Sequence, residues 1–486
     1  MRILRPKSPF KVNEFEYDPN AFALRKEEIS FCVQNLFHER NILIYGPRAI
    51  GKSSMGIQLQ KMLMGDKTLL TRCDIDSDFP KYLCTRIPCN KQDSISQVAY
   101  NILCFLERQY NKKLKSINYK DKKYFLKFNL GVLQAGVETK IDSTKYSPTT
   151  IATILTSELA NALKIIIESG IYQGINVMID ELDYLSPDIN FAHFIKTVYE
   201  MLSTEGAKHI SFIFAGNTGI YNHLWKGDPS FSRIINTVKI PILKAGELEF
   251  ILDYAGATFS PPFKIEDKGK ELIVSLSSGF PHIPHLLGDA GFKVMKDESN
   301  MTFDDIKIGI DNILMSDKKE EYLSVLREIS EEDRELITNI TKYEQEDKTL
   351  PVEIPIEWIK EEFGDKLVNG KSTKSILDSL VKGGYIKKNK ERAHYVFSEE
   401  LFRVFITLAR LEREEVLINK GEELEYEKIK NFANENLLNE IRSGKLDLDT
   451  DLTHEERKEV IKKLRKSITN SKSTRKWEET EWFDFL

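Results

Sequence analysis

Between residues 41 and 243 five short runs are dominated by apolar, mostly branched or aromatic side chains: 41–45, 69–73, 175–179, 210–215 and 237–243. Runs of this length and character predict strands buried on both faces. The segments between them carry apolar residues at helical spacing, notably 54–63, 94–107, 151–169 and 191–202. Strands alternating with helices predict a parallel sheet covered on both sides, a three-layer α/β fold.

Beyond residue 244 the strand runs stop. Residues 244–315 read as successive amphipathic helices broken at Ser260-Pro-Pro262, Gly279-Phe-Pro281 and 297–300. A charged hinge is expected at 317–321. A helix over 330–343 then opens with a Ser-Glu-Glu-Asp cap, followed by helices at 356–363 and 372–382. Gly383-Gly384 turns the chain into 385–388, and a hairpin returns through 394–397. Three helices and a two-stranded wing predict a winged helix-turn-helix with 372–382 in the recognition position. The expected domains are therefore an α/β core over 1–244, a small helical domain over 245–316, a winged helix over 321–411 and a charged helical tail over 412–486. Residues 111–148 form an insertion between the second and third strands, containing a Lys-rich stretch and a candidate hairpin; it is either a specialised contact or a surface elaboration.

Composition narrows the function classes. At about 150 residues per domain, 486 residues make roughly three domains. Seventy Lys and Arg against 75 Asp and Glu give a net charge of −5, so the whole chain is no polycation built to coat nucleic acid. Within 366–395, however, Lys366, Lys371, Lys374, Lys382, Lys387, Lys388, Lys390 and Arg392 outnumber the acids. That module alone could neutralise several DNA phosphates, or could be a solvated face. The first fifteen residues lack the apolar run of a signal segment. No apolar stretch is read as approaching the ~18 residues of a membrane span, so a soluble, cytoplasmic protein is expected. Five cysteines without C-x2-C spacing predict buried thiols, and eight unpaired histidines give no metalloenzyme signature. The last ten residues hold two tryptophans and four acids, a candidate docking segment for a partner protein or a second copy.

The strongest chemical signal follows the first strand: Gly46-Pro47-Arg48-Ala49-Ile50-Gly51-Lys52-Ser53, then Ser54. Its glycines allow main-chain N–H groups to cradle phosphates, Lys52 can reach the β and γ phosphates, and Ser53 can ligate Mg²⁺. The pattern points to ATP or ADP as the ligand. The third strand ends in Asp180-Glu181, where Asp180 would anchor Mg²⁺ through water and Glu181 would act as general base. Asp183 and Tyr184 read as a helix cap. Asn217, at the end of the fourth strand, is a candidate γ-phosphate and water sensor or a plain turn residue.

Together with Arg25-Lys-Glu-Glu28, Arg233 and Gly279-Phe-Pro281, these motifs resemble the AAA+ superfamily and its STAND relatives, in particular the origin-recognition-initiator-like ATPases of bacteria and archaea. The resemblance spans roughly 22–410. It implies sheet order 5-1-4-3-2, a helical lid over adenine, a winged helix, and hydrolysis of ATP to ADP that is slow or stimulus-dependent. It further implies that Arg233 reaches a neighbouring subunit's γ-phosphate, makes a surface ion pair or contacts its own nucleotide. Initiator-type lids carry an arginine where this chain reads Gly279-Phe280-Pro281-His282; the departure looks like the GxP motif of STAND switches, with Pro281 near adenine. His282 and His285 are either phosphate contacts or satisfied helix histidines. The resemblance leaves three readings open: a switch that oligomerises and recruits a partner, as in defence or signalling; a DNA-loaded initiator or helicase-loader-like motor; and a non-hydrolysing scaffold.

Overall fold

Strand side chains alternate between faces, and the core of the α/β unit is sorted by that rule. In β1 (Asn41–Tyr45) Leu43 joins one buried cluster while Ile42 and Ile44 join the other. The same alternation separates Ile175, Val177 and Ile179 from Met178, and Phe212 and Phe214 from Ile213 and Ala215. The structure, a computed structural model, describes residues 7–12, 14–75, 78–117, 124–128, 147–277, 279–313, 319–343, 352–364, 367–368, 371–389, 393–399, 402–407 and 410. The C-terminal tail and most of the 111–148 insertion, including its candidate hairpin, lie outside them, as do Lys366, Lys390 and Arg392.

One compact unit comprises 13–243 with 280–282. Its elements are α1 (Lys26–Phe37), β1, α2 (Lys52–Leu63), α3 (Thr68–Arg72), β2 (Tyr82–Pro88), α4 (Ile95–Ser116), α5 (Pro148–Glu168), β3 (Gly174–Asp180), α6 (Phe191–Thr204), β4 (Ile210–Gly216), α7 (Ile220–Gly227) and β5 (Ile235–Lys239). The sheet is fully parallel in the order β2-β3-β4-β1-β5, which is 5-1-4-3-2 read from the other edge. Tyr45 pairs with Gly216, Ile179 with Phe214 and Pro88 with Asp180. The carboxyl ends of β1 to β4 therefore share one edge, where ligands bind in open α/β sheets.

Two expectations are corrected. Residues 69–73 are not the second strand. Asp66 Oδ1 accepts the Thr68 N–H at 2.9 Å, and the segment winds into helix α3, burying Leu69 and Leu70. A five-residue apolar run is equally compatible with a helix turn, and here the local cap decides. The second strand is Tyr82–Pro88, which pairs with β3 along its whole length. The reading that no apolar stretch approaches membrane length also fails: α5 is a 21-residue helix apolar enough to cross a bilayer by length and composition. Nine of its residues, from Ile151 to Ile166, are buried within the fold, which is how a core helix passes that test.

The second unit takes 1–12, 244–279 and 283–486. It contains helices Ala245–Thr258, Asp267–Ser277, His282–Val294 and Phe303–Asn312, with a short parallel pair, Lys264–Ile265 and Asn300–Met301. The expected hinge is helical from Lys319, the start of Lys319–Glu328. Helices Glu331–Asn339, Ile356–Phe363 and Thr373–Lys382 follow, and Ile386–Asn389 pairs with His394–Phe397, which pairs with Ile354–Pro355. Ser330 and Ser372 cap their helices through side-chain oxygens, accepting from Asp333 N and Ser375 N at 3.2 Å.

Candidate nucleotide site

The loop between β1 and α2 is clamped at its base. Gly46 N donates to Gly216 O at 3.4 Å, and Ile240 N to Tyr45 O at 2.9 Å. Ala49 (φ 59°) and Gly51 (φ 97°) both adopt left-handed backbone, which winds the loop inward before Lys52 starts the helix. A methyl group at Gly51 would meet Arg25 Nη1 at 3.4 Å and Pro281 Cγ at 3.7 Å, ordinary contact distances, so it is the left-handed φ that calls for glycine there. The N–H groups of the first turn of α2 have no intrahelical acceptors, and the helix dipole adds positive potential there. From below, buried Arg25 donates through Nη2 to Ile50 O at 2.7 Å and through Nε to Pro241 O at 3.3 Å.

Lys52 Nζ donates to Gly46 O at 3.1 Å and Pro47 O at 2.7 Å, within its own loop. Burial lowers its pKa, an effect opposed chiefly by Asp183 and Asp180. Ser53 is half-buried on the same turn.

Asp180 is 1 % exposed at the end of β3. Its Oδ1 accepts the Glu181 N–H at 2.9 Å, and its Oδ2 accepts Arg86 Nε at 3.0 Å and Nη2 at 2.7 Å. Glu181 is exposed and left-handed (φ 59°); its pKa is raised, mainly by desolvation and then by Asp180. Asp183 does not cap a helix as expected. Its Oδ1 accepts Asn217 N at 3.0 Å, tying the β3 loop to the end of β4. Asn217 Oδ1 accepts Gly219 N at 2.9 Å, the turn geometry that was its plainer reading. Tyr184 Oη accepts from Arg48 Nη2 at 3.1 Å, and that guanidinium lies 5.8 Å from the Tyr184 ring centre.

The fold thus gathers Gly46–Ser54, Lys52, Asp180, Glu181, Asp183, Asn217 and Pro281 on one unit. Arg233 is exposed at the end of a short 3-10 helix, Pro229–Arg233, and its side chain makes no hydrogen bond or ion pair with the described residues. His285 Nδ1 accepts Lys11 N at 3.3 Å and its ring packs edge-on to Phe10, the satisfied-histidine reading. Arg86 escapes the sequence reading because the run at 69–73 claims the second strand, and Phe15 because it meets Arg86 only in the folded chain. An arginine inside the Tyr-Leu-Cys-Thr-Arg-Ile-Pro run was the available signal.

Mg²⁺ in phosphate sites takes one or two protein oxygens and fills its octahedron with phosphate and water. A hydroxyl at Ser53 and a buried carboxylate at Asp180 fit that donor set.

No family model matches the chain, and no curated protein does. Among solved structures, the Walker-type ATPase PABY2304 of Pyrococcus abyssi is similar at 15 % identity and a TM-score of 0.50, over 81 % of this chain and 98 % of that one. The ORC2 protein of Aeropyrum pernix, in ADPNP–ADP complexes, is similar at 13 % identity and a TM-score of 0.47, over 84 % and 98 %. The first likeness establishes a shared fold.

Proposed function

We propose that this chain is an ATP-binding, ATP-hydrolysing P-loop switch of the AAA+/STAND kind, whose nucleotide state controls assembly and partner recruitment. The observation that carries the reading is the left-handed loop Gly46–Gly51 opening α2 beside the buried carboxylate Asp180, on the same sheet edge. Its likeness in fold to a Walker-type ATPase supports the same reading.

In this proposal the loop Gly46–Ser54 cradles the triphosphate through the N–H groups from Arg48 to Ser54. Lys52 exchanges its bonds to Gly46 and Pro47 carbonyls for the β and γ phosphates, recovering full charge stabilisation in a part-buried site. Ser53 and Asp180 would hold Mg²⁺, which when bound neutralises charge across those phosphates. Glu181 accepts a proton from the attacking water, a role favoured by a pKa raised above the ordinary carboxylate value by desolvation. Asn217 orients the γ-phosphate through its amide while its carbonyl stays in the turn, Pro281 packs by the nucleotide, and Arg233, exposed, is offered to a second subunit.

The test is mass measurement with ADP, with ATP and with Glu181→Gln plus ATP. Assembly that grows in that order supports the switch. Nucleotide bound without turnover in wild type would favour a scaffold.

A second reading, DNA binding, rests on exposed Lys374, Lys382, Lys387 and Lys388 on helix Thr373–Lys382 and the following hairpin. Lys371 is committed to Glu332 at 3.1 Å. Duplex binding that falls with salt and vanishes on Lys374, Lys387 and Lys388→Glu would support it.

A further inference from the structure

We propose that Arg86 is a built-in cation for Asp180, which lets nucleotide bind with little help from magnesium. The inference rests on the nucleotide-binding reading above and concerns how strongly the metal and the nucleotide are linked.

An ionised carboxylate offers about four lone-pair directions. In Asp180 three are taken: one by Glu181 N and two by the Nε and Nη2 of Arg86. A carboxylate with a side chain 2 % exposed needs such a partner, since an unpaired buried charge is strongly disfavoured. Arg86 is itself held from the other side. Its Cζ lies 4.2 Å from the centre of the Phe15 ring, which packs edge-on to Tyr17. That segment is pinned to α2: Glu16 N donates to Ser54 Oγ at 3.2 Å and Gln58 Nε2 to Glu16 O at 2.7 Å. The guanidinium is thus clamped between Asp180 and a strap fastened one residue beyond Ser53. Strand pairing fixes the rest, with Pro88 opposite Asp180 and Cys89 N donating to Asp180 O at 2.9 Å.

The charges around a triphosphate here include Lys52, Arg48 and, beneath the loop, Arg25, against Asp180, Glu181 and Asp183. Without Arg86, the acids would repel metal-free nucleotide. With it, Asp180 is neutralised in advance, and any metal must share a carboxylate already gripped by a fixed cation. Both effects lower the ratio of the nucleotide dissociation constant in chelator to that in magnesium.

The experiment measures binding of a fluorescent ATP analogue to the full chain in EDTA and in millimolar magnesium, for wild type, Arg86→Gln and Arg86→Lys. The expected result is a ratio raised at least about tenfold by Gln, with Lys in between because it keeps charge without the paired donors. A purely structural loss would weaken both conditions alike and leave the ratio unmoved. A ratio within about twofold of wild type in a folded Gln variant overturns the inference. If the Gln variant does not fold, the Lys variant decides by the same ratio: a rise supports the inference, and no rise overturns it. Wild type that binds in neither condition would instead overturn the nucleotide reading, and this inference with it.

Discussion

Glu181 occupies left-handed backbone with its carboxyl drawn toward protonation by burial and by Asp180. Because the folded state holds that proton more tightly than the unfolded chain, ionising Glu181 opposes folding. The penalty is absent at low pH and grows as pH rises through the folded pKa. Glu181→Gln should therefore melt higher than wild type at pH 7, the gain vanishing below the ordinary carboxylate range of about 4. Paired melting curves across pH check this. In the proposed chemistry the same variant retains ATP binding and loses about 10²- to 10⁴-fold in turnover; unchanged turnover in a phosphate-release assay would remove Glu181 from the base role. Lys52→Ala should cost about 10- to 100-fold in nucleotide affinity, measured by titration calorimetry.

Among the elements, α2 is placed by what Gly56 lacks. A Cβ there would sit 2.4 Å from Met178 Cε on β3, so with any larger residue the end of that buried methionine would have to turn aside for the helix to keep its distance from the sheet. Gly56→Ala should cost about 1 kcal/mol, the low end for overpacking, in chemical denaturation, because the Met178 side chain can turn and alanine favours the helix. Part of that should return in the double variant with Met178→Val, since neighbouring sites couple. Restoration of nothing would mean that the crowding lies elsewhere. Below the helix a buried polar chain, Gln60 Nε2 to Thr85 O at 2.8 Å and Asn176 Oδ1 at 3.0 Å, joins α2 to β2 and β3. The register that puts Asp180 beside Arg86 is thus fixed by packing and hydrogen bonding together.

For the molecule as a whole, the open question is what exposed Arg233 meets. If it serves a neighbouring subunit, Arg233→Ala should bind ATP with wild-type affinity, lose most turnover, and regain part of it when mixed with Lys52→Ala chains. A single chain acting alone would show no rescue.

The sequence by itself determined the glycine-rich loop after β1, the acidic end of β3 and most element boundaries after residue 330. Each of these is written locally: glycines at fixed spacing, a strand ending in carboxylates, Ser caps, a Gly-Gly turn. It misplaced the second strand because Leu-Leu-Thr-Arg-Cys suits either a strand or a helix turn, and only the Asp66 cap and the pairing of Tyr82–Pro88 with β3 choose between them. It likewise assigned Asp183 to a local cap and missed Arg86. Their partners, Asn217 and Asp180, are distant in the chain and meet them only once parallel strands bring their carboxyl ends to one edge. Chemistry confined to one loop is legible in order of residues; ion pairs across strands exist only after the sheet has set its register.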